Sequence, residues 1–178
     1  MRLRRISRVI AGAVIVIAGA LVTPGVPALG AAAGPSWMRA DAAHKSVSFT
    51  VNAADGGANG TLNFNGYANG AMMVTVPVGW RVHVDFYNTG AGALPHSLEV
   101  IREVAKVPIQ GIPPTIPKAT TSDLLAGVPP QRKDSFDFIA QPAGRYYWFC
   151  GVPTHGFSGM WDRFVISAGA KLPAVSFK

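Results

Sequence analysis

The chain has 178 residues, 49% of them hydrophobic and 14% charged, which is long enough to bury a single apolar core. Its 16 lysines and arginines exceed its 9 aspartates and glutamates, but four of the arginines precede Val9, which leaves 12 basic against 9 acidic residues and a net charge of +3. This remainder carries no clustered basic stretch, which excludes the class of nucleic-acid-binding proteins.

The first residues have the layout of a secretory signal. Four arginines lie among the first eight residues, an uncharged apolar run follows at 9–22, and small residues continue through 31–33. The adjacent Arg4 and Arg5 are compatible with a twin-arginine signal, which would allow folding and cofactor loading before export. We therefore expect the protein outside the cytoplasm.

Cleavage of this segment and its retention as an N-terminal anchor helix both stay open. The apolar run is shorter than the about 20 residues that cross a bilayer, and Pro24 and Pro27 interrupt any extension of it. We assign 1–34 to a signal peptide or membrane anchor and 35–178 to the functional domain. The protein is accordingly expected to be secreted or held at the outer face of the membrane.

The rest of the chain has the pattern of an all-β protein. The stretch 80–87 places Trp80, Val82, Val84 and Phe86 on one face and polar residues on the other, which predicts a half-buried strand. Turn residues separate it from similar short runs, and no helical period is sustained. The predicted strands are 45–51, a pair of inward residues at Leu62 and Phe64, 71–76, 80–87, 97–104, 134–138, 146–150 and 161–167.

Two loops interrupt this series. Asn65-Gly66 is typical of a tight turn. The stretch 106–118 carries four prolines among apolar residues, so it cannot be a central strand. We predict that it is an ordered apolar loop lying over the sheets, followed by a short helical turn capped by Ser122. Together the elements predict an antiparallel β-sandwich.

The stretch 146–161 carries the chemistry. It contains the only cysteine, Cys150, with His155 five residues later and Met160 five beyond that. A thiolate, an imidazole and a thioether are three ligands for a soft metal, and a second imidazole would complete the His₂Cys set with a weak axial Met that defines blue-copper centres. His96, after Pro95, is the candidate for that imidazole.

Each of these residues has an ordinary alternative role. A single cysteine is commonly an inert buried residue, Met160 can fill the core, and His155 can be a loop histidine. A lone cysteine in an exported protein has no intramolecular disulfide partner, however, and a metal would protect it from oxidation. His83 lies on the polar face of its strand and His44 precedes the first strand, so we expect neither to bind the metal.

Several segments resemble the sulfocyanin family of cupredoxins, which is related to rusticyanin. They lie at 62–66, 76–80, 95–97, 147–155 and 159–161, and the resemblance covers about residues 45–168. The spacing in the ligand segment is the specific part, because plastocyanin-like loops place the histidine closer to the cysteine. No motif of the family covers 105–131.

The resemblance implies a Greek-key β-sandwich with a single type 1 copper ion. By this resemblance His96, Cys150 and His155 are the trigonal ligands and Met160 is the axial ligand. It further implies a non-enzymatic electron carrier outside the cytoplasmic membrane, often tethered there and serving a respiratory chain. Its partners would be redox proteins such as a terminal oxidase or a cytochrome, and we expect the carrier itself to be a monomer.

Two backbone amides are expected to donate to the sulfur of Cys150. They belong to Ser97, which follows the first histidine, and to Val152, which unlike a proline retains an amide hydrogen. Withdrawing charge from a thiolate favours Cu(I), so the hypothesis is a high reduction potential.

Other functions share parts of this pattern. A copper storage or delivery protein would use the same site but exchange its metal easily. A multicopper enzyme needs more than the four histidines present, and a cysteine hydrolase using Cys150 and His155 lacks a convincing orienting residue. Electron transfer is therefore the primary hypothesis, with storage or delivery as the alternative.

Overall fold

Residues 34–178, the part of the chain that the computed structural model describes, fold into strands joined by loops. Regular structure in this part is all β apart from a 3₁₀ turn at Ala91–Ala93, which confirms the all-β class. In chain order the strands are β1 (Met38–Asp41), β2 (Ser46–Ala53), β3 (Met72–Pro77), β4 (Arg81–Asn88), β5 (Glu99–Arg102), β6 (Lys133–Ile139), β7 (Gly144–Phe149), β8 (Trp161–Ser167) and β9 (Ala174–Phe177).

The strands form two sheets, and the prediction of purely antiparallel pairing is wrong. One sheet has the order β1-β2-β4-β6 and the other β5-β7-β8-β3-β9. β2 pairs with β4, and β3 with β8, in parallel register, whereas the other pairs are antiparallel. The reason is that β3 belongs to the opposite sheet, so the chain leaves the first sheet after β2 and re-enters it in the same direction.

One cluster of buried apolar side chains takes residues from both sheets. Trp148 is wholly buried, with its ring edge-on to Phe49 at 5.3 Å and stacked on Phe164 at 5.7 Å between centroids. Burying side chains of this size stabilises the fold by about 1.5–3 kcal/mol each. Cys150 and Met160 belong to the same cluster, so the candidate ligands are anchored in the core.

Alternation located most strands to within a few residues, but not the one predicted at Leu62 and Phe64. There Phe64 makes only isolated bridges, to Ala53 and Tyr67. The reason is the buried Asn63, whose side-chain oxygen accepts hydrogen bonds from two loop amides and whose side-chain nitrogen donates to two loop carbonyls. These bonds replace a strand ladder.

The turn at Asn65-Gly66 is confirmed. Both residues have positive φ, 51° and 82°, and the flanking Phe64 and Tyr67 exchange backbone hydrogen bonds at 2.9 Å. Positive φ at both central positions is the requirement of a two-residue hairpin turn, which Asn-Gly meets. The edge strands β1 and β9 were not predicted from the sequence, because both are short and largely exposed.

A long loop, residues 103–132, joins β5 to β6; we call it the covering loop. Its Ile116 and Ala119 are buried in the core cluster, so the prediction of an ordered apolar loop is confirmed. The helical turn within it is capped by Asp123, whose carboxylate accepts from the Ala126 amide at 2.9 Å. The prediction of Ser122 as the cap is wrong, because its side chain bonds to Asp134 instead.

The predicted signal peptide or membrane anchor at 1–34 lies outside the described residues, apart from Gly34. Within the described part of the chain, no helix has the length and apolar character needed to cross a bilayer.

Candidate metal centre

Three of the predicted ligands lie on the segment between β7 and β8, residues 150–160, which we call the ligand loop. The Cys150 amide donates to the Met160 carbonyl, and the Met160 amide to the His155 carbonyl, both at 3.0 Å. The His155 amide donates in turn to the Val152 carbonyl at 3.1 Å. Since the loop is closed by its own backbone bonds, the spacing of the three side chains is set by the protein.

His96 reaches the same place from the connection between β4 and β5. Its backbone exchanges hydrogen bonds with Val128 of the covering loop, at 2.7 and 3.2 Å. The side-chain amide of the buried Asn88 donates to the carbonyls of Leu94 and Val128, at 2.9 Å each. The segment that carries His96 is therefore tied on both sides.

The structure brings His96, Cys150 and His155 together. One ligand atom from each lies within 4.8 Å of the others. The rings of His96 and His155 are 5.0 Å apart between centroids, and Nδ1 of His155 lies 3.7 Å from Sγ of Cys150. Met160 is wholly buried and joined to Cys150 and His155 through its backbone. Three of the four predicted ligands, His96, Cys150 and His155, are thus gathered from two segments far apart in the chain.

The donor atoms of His96, Cys150 and His155 are of the types that bind copper. His96 is 0% exposed, yet neither of its ring nitrogens has a hydrogen-bond partner among residues 34–178. Buried polar atoms are nearly always paired, so an unpaired imidazole that faces a cysteine and a second imidazole is suited to a metal. A thiolate with two imidazoles is a soft, nitrogen-rich set that favours copper.

Burial controls the charge of these groups in the metal-free protein. It lowers the pKa of His96 to about 4, with a further contribution from the neighbouring His155, whose own pKa is lowered by burial. Both rings are therefore neutral near pH 7, and neutral imidazole is the form that binds a metal. Burial raises the pKa of the Cys150 thiol to about 11, so the metal must displace a proton from it.

The sulfur of Cys150 has the amide donor predicted from Ser97, at 3.4 Å. Of the two predicted amide donors, Ser97 alone has this hydrogen bond; the Val152 amide contributes with it to lowering the pKa of Cys150, against the larger effect of burial. The Ser97 hydroxyl lies 3.9 Å from the same sulfur and accepts a hydrogen bond from the Gly151 amide at 2.9 Å. Ser97 therefore stabilises both the sulfur and the start of the ligand loop.

The covering loop, which no family motif in the sequence explained, packs against the ligand loop. The Gly111 amide donates to the Gly151 carbonyl at 2.7 Å, and the Thr154 amide to the Ile109 carbonyl at 2.6 Å. The Leu124 carbonyl accepts from the Ser97 hydroxyl at 2.8 Å. These bonds make the covering loop one wall of the site, and its density of proline and apolar residues was the only signal of it in the sequence.

The remaining two histidines lie elsewhere. The ring of His83 lies between Asp137 at 3.0 Å and Asp85 at 3.3 Å on the outer face of its sheet. His44 is paired with the exposed Asp41. Both positions agree with the expectation that neither histidine belongs to the metal site.

Comparisons with known proteins point to one family. A family model for a sulfocyanin (SoxE) domain matches residues 33–175. Sulfocyanin of Sulfolobus acidocaldarius is 28% identical over 137 residues, which is 73% of this chain and 68% of that protein. Rusticyanin of Acidithiobacillus ferrooxidans is 32% identical over 93 residues, 51% of this chain and 48% of rusticyanin.

A solved rusticyanin variant also aligns with the chain, with a TM-score of 0.50 and 24% identity over 69% of this chain and 78% of that one. This likeness supports the fold. The family match covers nearly all of the described residues. The cysteine and the two imidazoles gathered at the site are the donors that a cupredoxin uses to bind copper. The chain belongs to the sulfocyanin family of cupredoxins, and its cofactor is a single copper ion.

Proposed function

We propose that the chain is a type 1 copper electron carrier, in which His96, Cys150 and His155 would hold the ion, with Met160 as a weaker fourth ligand. Copper bound in this way supplies one-electron chemistry through its Cu(II) and Cu(I) states. The observation that carries the proposal is the convergence of three donor atoms within 4.8 Å of one another, one of them from His96, whose buried ring nitrogens have no hydrogen-bond partner in the described part of the chain.

The protein suits this chemistry because backbone hydrogen bonds hold the residues that would bind the ion. Backbone bonds within the ligand loop fix Cys150 and Met160, and bonds to Val128 fix His96. A site that is already formed needs little rearrangement when the charge of the ion changes. The complete burial of His96, Cys150 and Met160 also excludes water from the sulfur side of the site.

Electrons are proposed to enter and leave at the His155 edge. His155 is half-buried, whereas the other three proposed ligands are wholly buried. Exposed apolar side chains lie on the segments bonded around it: Leu94 at 38%, Ile109 at 60% and Phe157 at 54% exposure. Such a patch suits a small, transient contact with a redox partner, for which a terminal oxidase or a cytochrome is the proposed class.

The cellular location of the protein is proposed from its N-terminal sequence. The basic, apolar and small-residue order of 1–34 supports export, with the domain at 35–178 outside the cytoplasmic membrane, released or tethered. A respiratory chain is the proposed context, with the carrier acting as a monomer and not as an enzyme.

Copper storage or delivery is the alternative use of the same residues. A delivery protein must release its ion readily, which an open site favours. Here the covering loop and the ligand loop are joined by backbone bonds at 2.6 and 2.7 Å, which favours retention. Slow metal exchange with fast reduction would support the carrier, and fast exchange with slow reduction would support delivery.

The test is a titration of the metal-free chain with Cu(II), followed by visible absorption. We expect an intense thiolate-to-copper band that is lost in Cys150→Ser and retained in His83→Ala, a control that removes a histidine outside the site. A wild-type protein that stays colourless with Cu(II), or a band that survives Cys150→Ser, would contradict the proposal.

A further inference from the structure

A buried carboxyl group lies beside the metal site. Glu99 begins β5, three positions after His96, and is 0% exposed. Its neighbour Val100 faces the core cluster that contains Cys150. Because side chains alternate along a strand, Glu99 lies on the opposite face of the sheet, where the covering loop passes over it. Its carboxyl group is therefore close to the site without being a ligand.

The carboxyl group of Glu99 has few hydrogen bonds to offset the cost of its burial. Oε1 accepts one hydrogen bond, from the Ile112 amide at 3.3 Å, and Oε2 has no partner among residues 34–178. Phe149 lies opposite Glu99 in the sheet. Thr120 of the covering loop forms an isolated β-bridge with Glu99. A buried carboxylate without a cation is costly. Burial accordingly raises the pKa of Glu99 to about 8, and the Ile112 bond only partly opposes this shift.

The charge of Glu99 acts on the thiolate sulfur. Glu99 is paired across the sheet with Phe149, the residue that directly precedes Cys150. Burial is the main cause of the raised pKa of the Cys150 thiol, and ionised Glu99 adds a smaller Coulomb contribution in the same direction, so its negative charge disfavours additional negative charge at the sulfur. By the same Coulomb interaction, ionised Glu99 favours the more positive state of the metal centre. Cu(II) bound to a thiolate carries one unit of positive charge more than Cu(I) bound to the same thiolate. The carboxyl group is thus placed to respond to the redox state.

We propose that Glu99 is a redox-linked proton acceptor, whose proton affinity rises when the copper is reduced, so that it binds part of a proton on average upon reduction and releases it upon oxidation. The electron comes from the redox partner and the proton from water, and it binds a carboxylate oxygen of Glu99. No other bond forms or breaks. The inference rests on the proposed function, and it couples the transfer of one electron to partial proton uptake at Glu99 over a limited range of pH.

The direction in which the reduction potential changes with pH depends on the charge of Glu99. Protonated Glu99 favours Cu(I), so the reduction potential is higher at low pH and falls as the pH rises through the titration of Glu99. If reduction changes the proton affinity of Glu99 tenfold, the total fall is about 59 mV, the one-electron equivalent of a tenfold change in an equilibrium constant.

One other buried carboxyl group titrates in a similar range and must be separated from Glu99. Asp162 on β8 has a pKa raised by burial to about 7, and its Oδ1 accepts from the Met72 amide at 2.9 Å. Asp162→Asn is therefore the matched control, since it neutralises a buried carboxyl group on another strand.

The experiment is a redox titration of the copper-loaded chain from pH ~6 to pH ~10, a range that brackets the titration of Glu99. We expect the potential to fall in the wild type and in Asp162→Asn and to stay level in Glu99→Gln. An identical fall in Glu99→Gln would overturn the inference while leaving the electron carrier intact. A chain that binds no redox-active copper overturns the proposed function and the inference together.

Two readouts do not depend on the potential of a variant. In wild-type protein near pH 8, a reduced-minus-oxidised infrared spectrum is expected to gain the carbonyl band of a protonated carboxyl group; its absence would overturn the inference even if Glu99→Gln does not fold.

In the metal-free chain, a raised Glu99 pKa means that stability falls as the pH rises from about 4.5 to about 8. Glu99→Gln is expected to reduce that fall, and an unchanged profile would contradict the buried titration.

Discussion

The hydroxyl of Ser97 accepts a hydrogen bond from the amide of Gly151 at 2.9 Å, although the two residues lie on separate segments. The same hydroxyl donates to the Leu124 carbonyl at 2.8 Å, and the Ser97 amide donates to the sulfur of Cys150 at 3.4 Å. One small residue therefore joins the segment that carries His96, the covering loop and the ligand loop.

Replacing Ser97 with alanine is expected to weaken this junction. Ser97→Ala leaves the Gly151 amide and the Leu124 carbonyl without their partner, which should lower the free energy of unfolding by about 1–3 kcal/mol. Urea unfolding of the metal-free chain measures the change. Ser48→Ala, which removes an exposed hydroxyl with a bond of 3.5 Å, is the control and should change stability by less than about 0.5 kcal/mol. Equal effects of the two variants would contradict the assigned role.

The axial assignment of Met160 can be tested with leucine. Met160→Leu conserves volume and should cost less than about 1.5 kcal/mol, so copper and its visible band should be retained. Loss of the thioether removes a weak donor to Cu(II), and the reduction potential should therefore rise.

Met72→Leu is the matched control for that variant, since Met72 is also wholly buried in the core cluster but lies on β3. It should leave the potential unchanged. A redox titration that gives the wild-type potential for Met160→Leu would remove Met160 from the ligand set.

Copper uptake is expected to depend on pH through the thiol. Because the pKa of metal-free Cys150 is about 11, binding displaces one proton at neutral pH. The apparent affinity should then rise about tenfold per pH unit below that value. Below the His96 pKa of about 4 a second proton must leave, and the dependence should steepen.

Proton release on adding Cu(I) to weakly buffered metal-free protein measures this linkage, with one proton expected per ion near pH 7. Release of none would show that the thiol is already ionised in the metal-free protein.

Close packing at Gly156 makes a further prediction. A Cβ atom there would lie 2.7 Å from the carbonyl oxygen of Cys150 and would overlap the ring of Phe149. Gly156→Ala should therefore shift the backbone of a ligand, lower stability by about 1–3 kcal/mol and alter the copper band. Gly169→Ala, where the nearest atom would be 3.9 Å away, should match the wild type in thermal unfolding and absorption. Unperturbed Gly156→Ala would indicate a looser ligand loop than described.

Sequence patterns within short segments were sufficient to predict most strands and the ligand loop. Alternation at 80–87 located β4, and the spacing of Cys150, His155 and Met160 identified the ligand loop, because these signals lie within one short segment. His96 was recognisable because a second imidazole was required and few histidines were available. The strand and loop chemistry of single segments is thus readable from the residues themselves.

Long-range packing was not readable in the same way. The position of Glu99 illustrates this, because alternation places it on the outer, polar face of its strand. The covering loop dehydrates that face through contacts such as the Ile112 amide, and the carboxyl group becomes buried. The parallel pairing of β2 with β4 was missed for the same reason, since period-two patterns do not specify which strands are neighbours.

The parallel pair of β3 and β8 aligns Met73 with Arg163. A ribosome must release the chain as far as β8, about 90 residues after β3, before these two strands can meet, and pairing over such a separation is intrinsically slow. Until then the hydrophobic interior has only part of its second wall. The nascent protein therefore passes through a period in which it is vulnerable to aggregation and has no finished pocket for an ion, so metal insertion belongs at the end of its maturation.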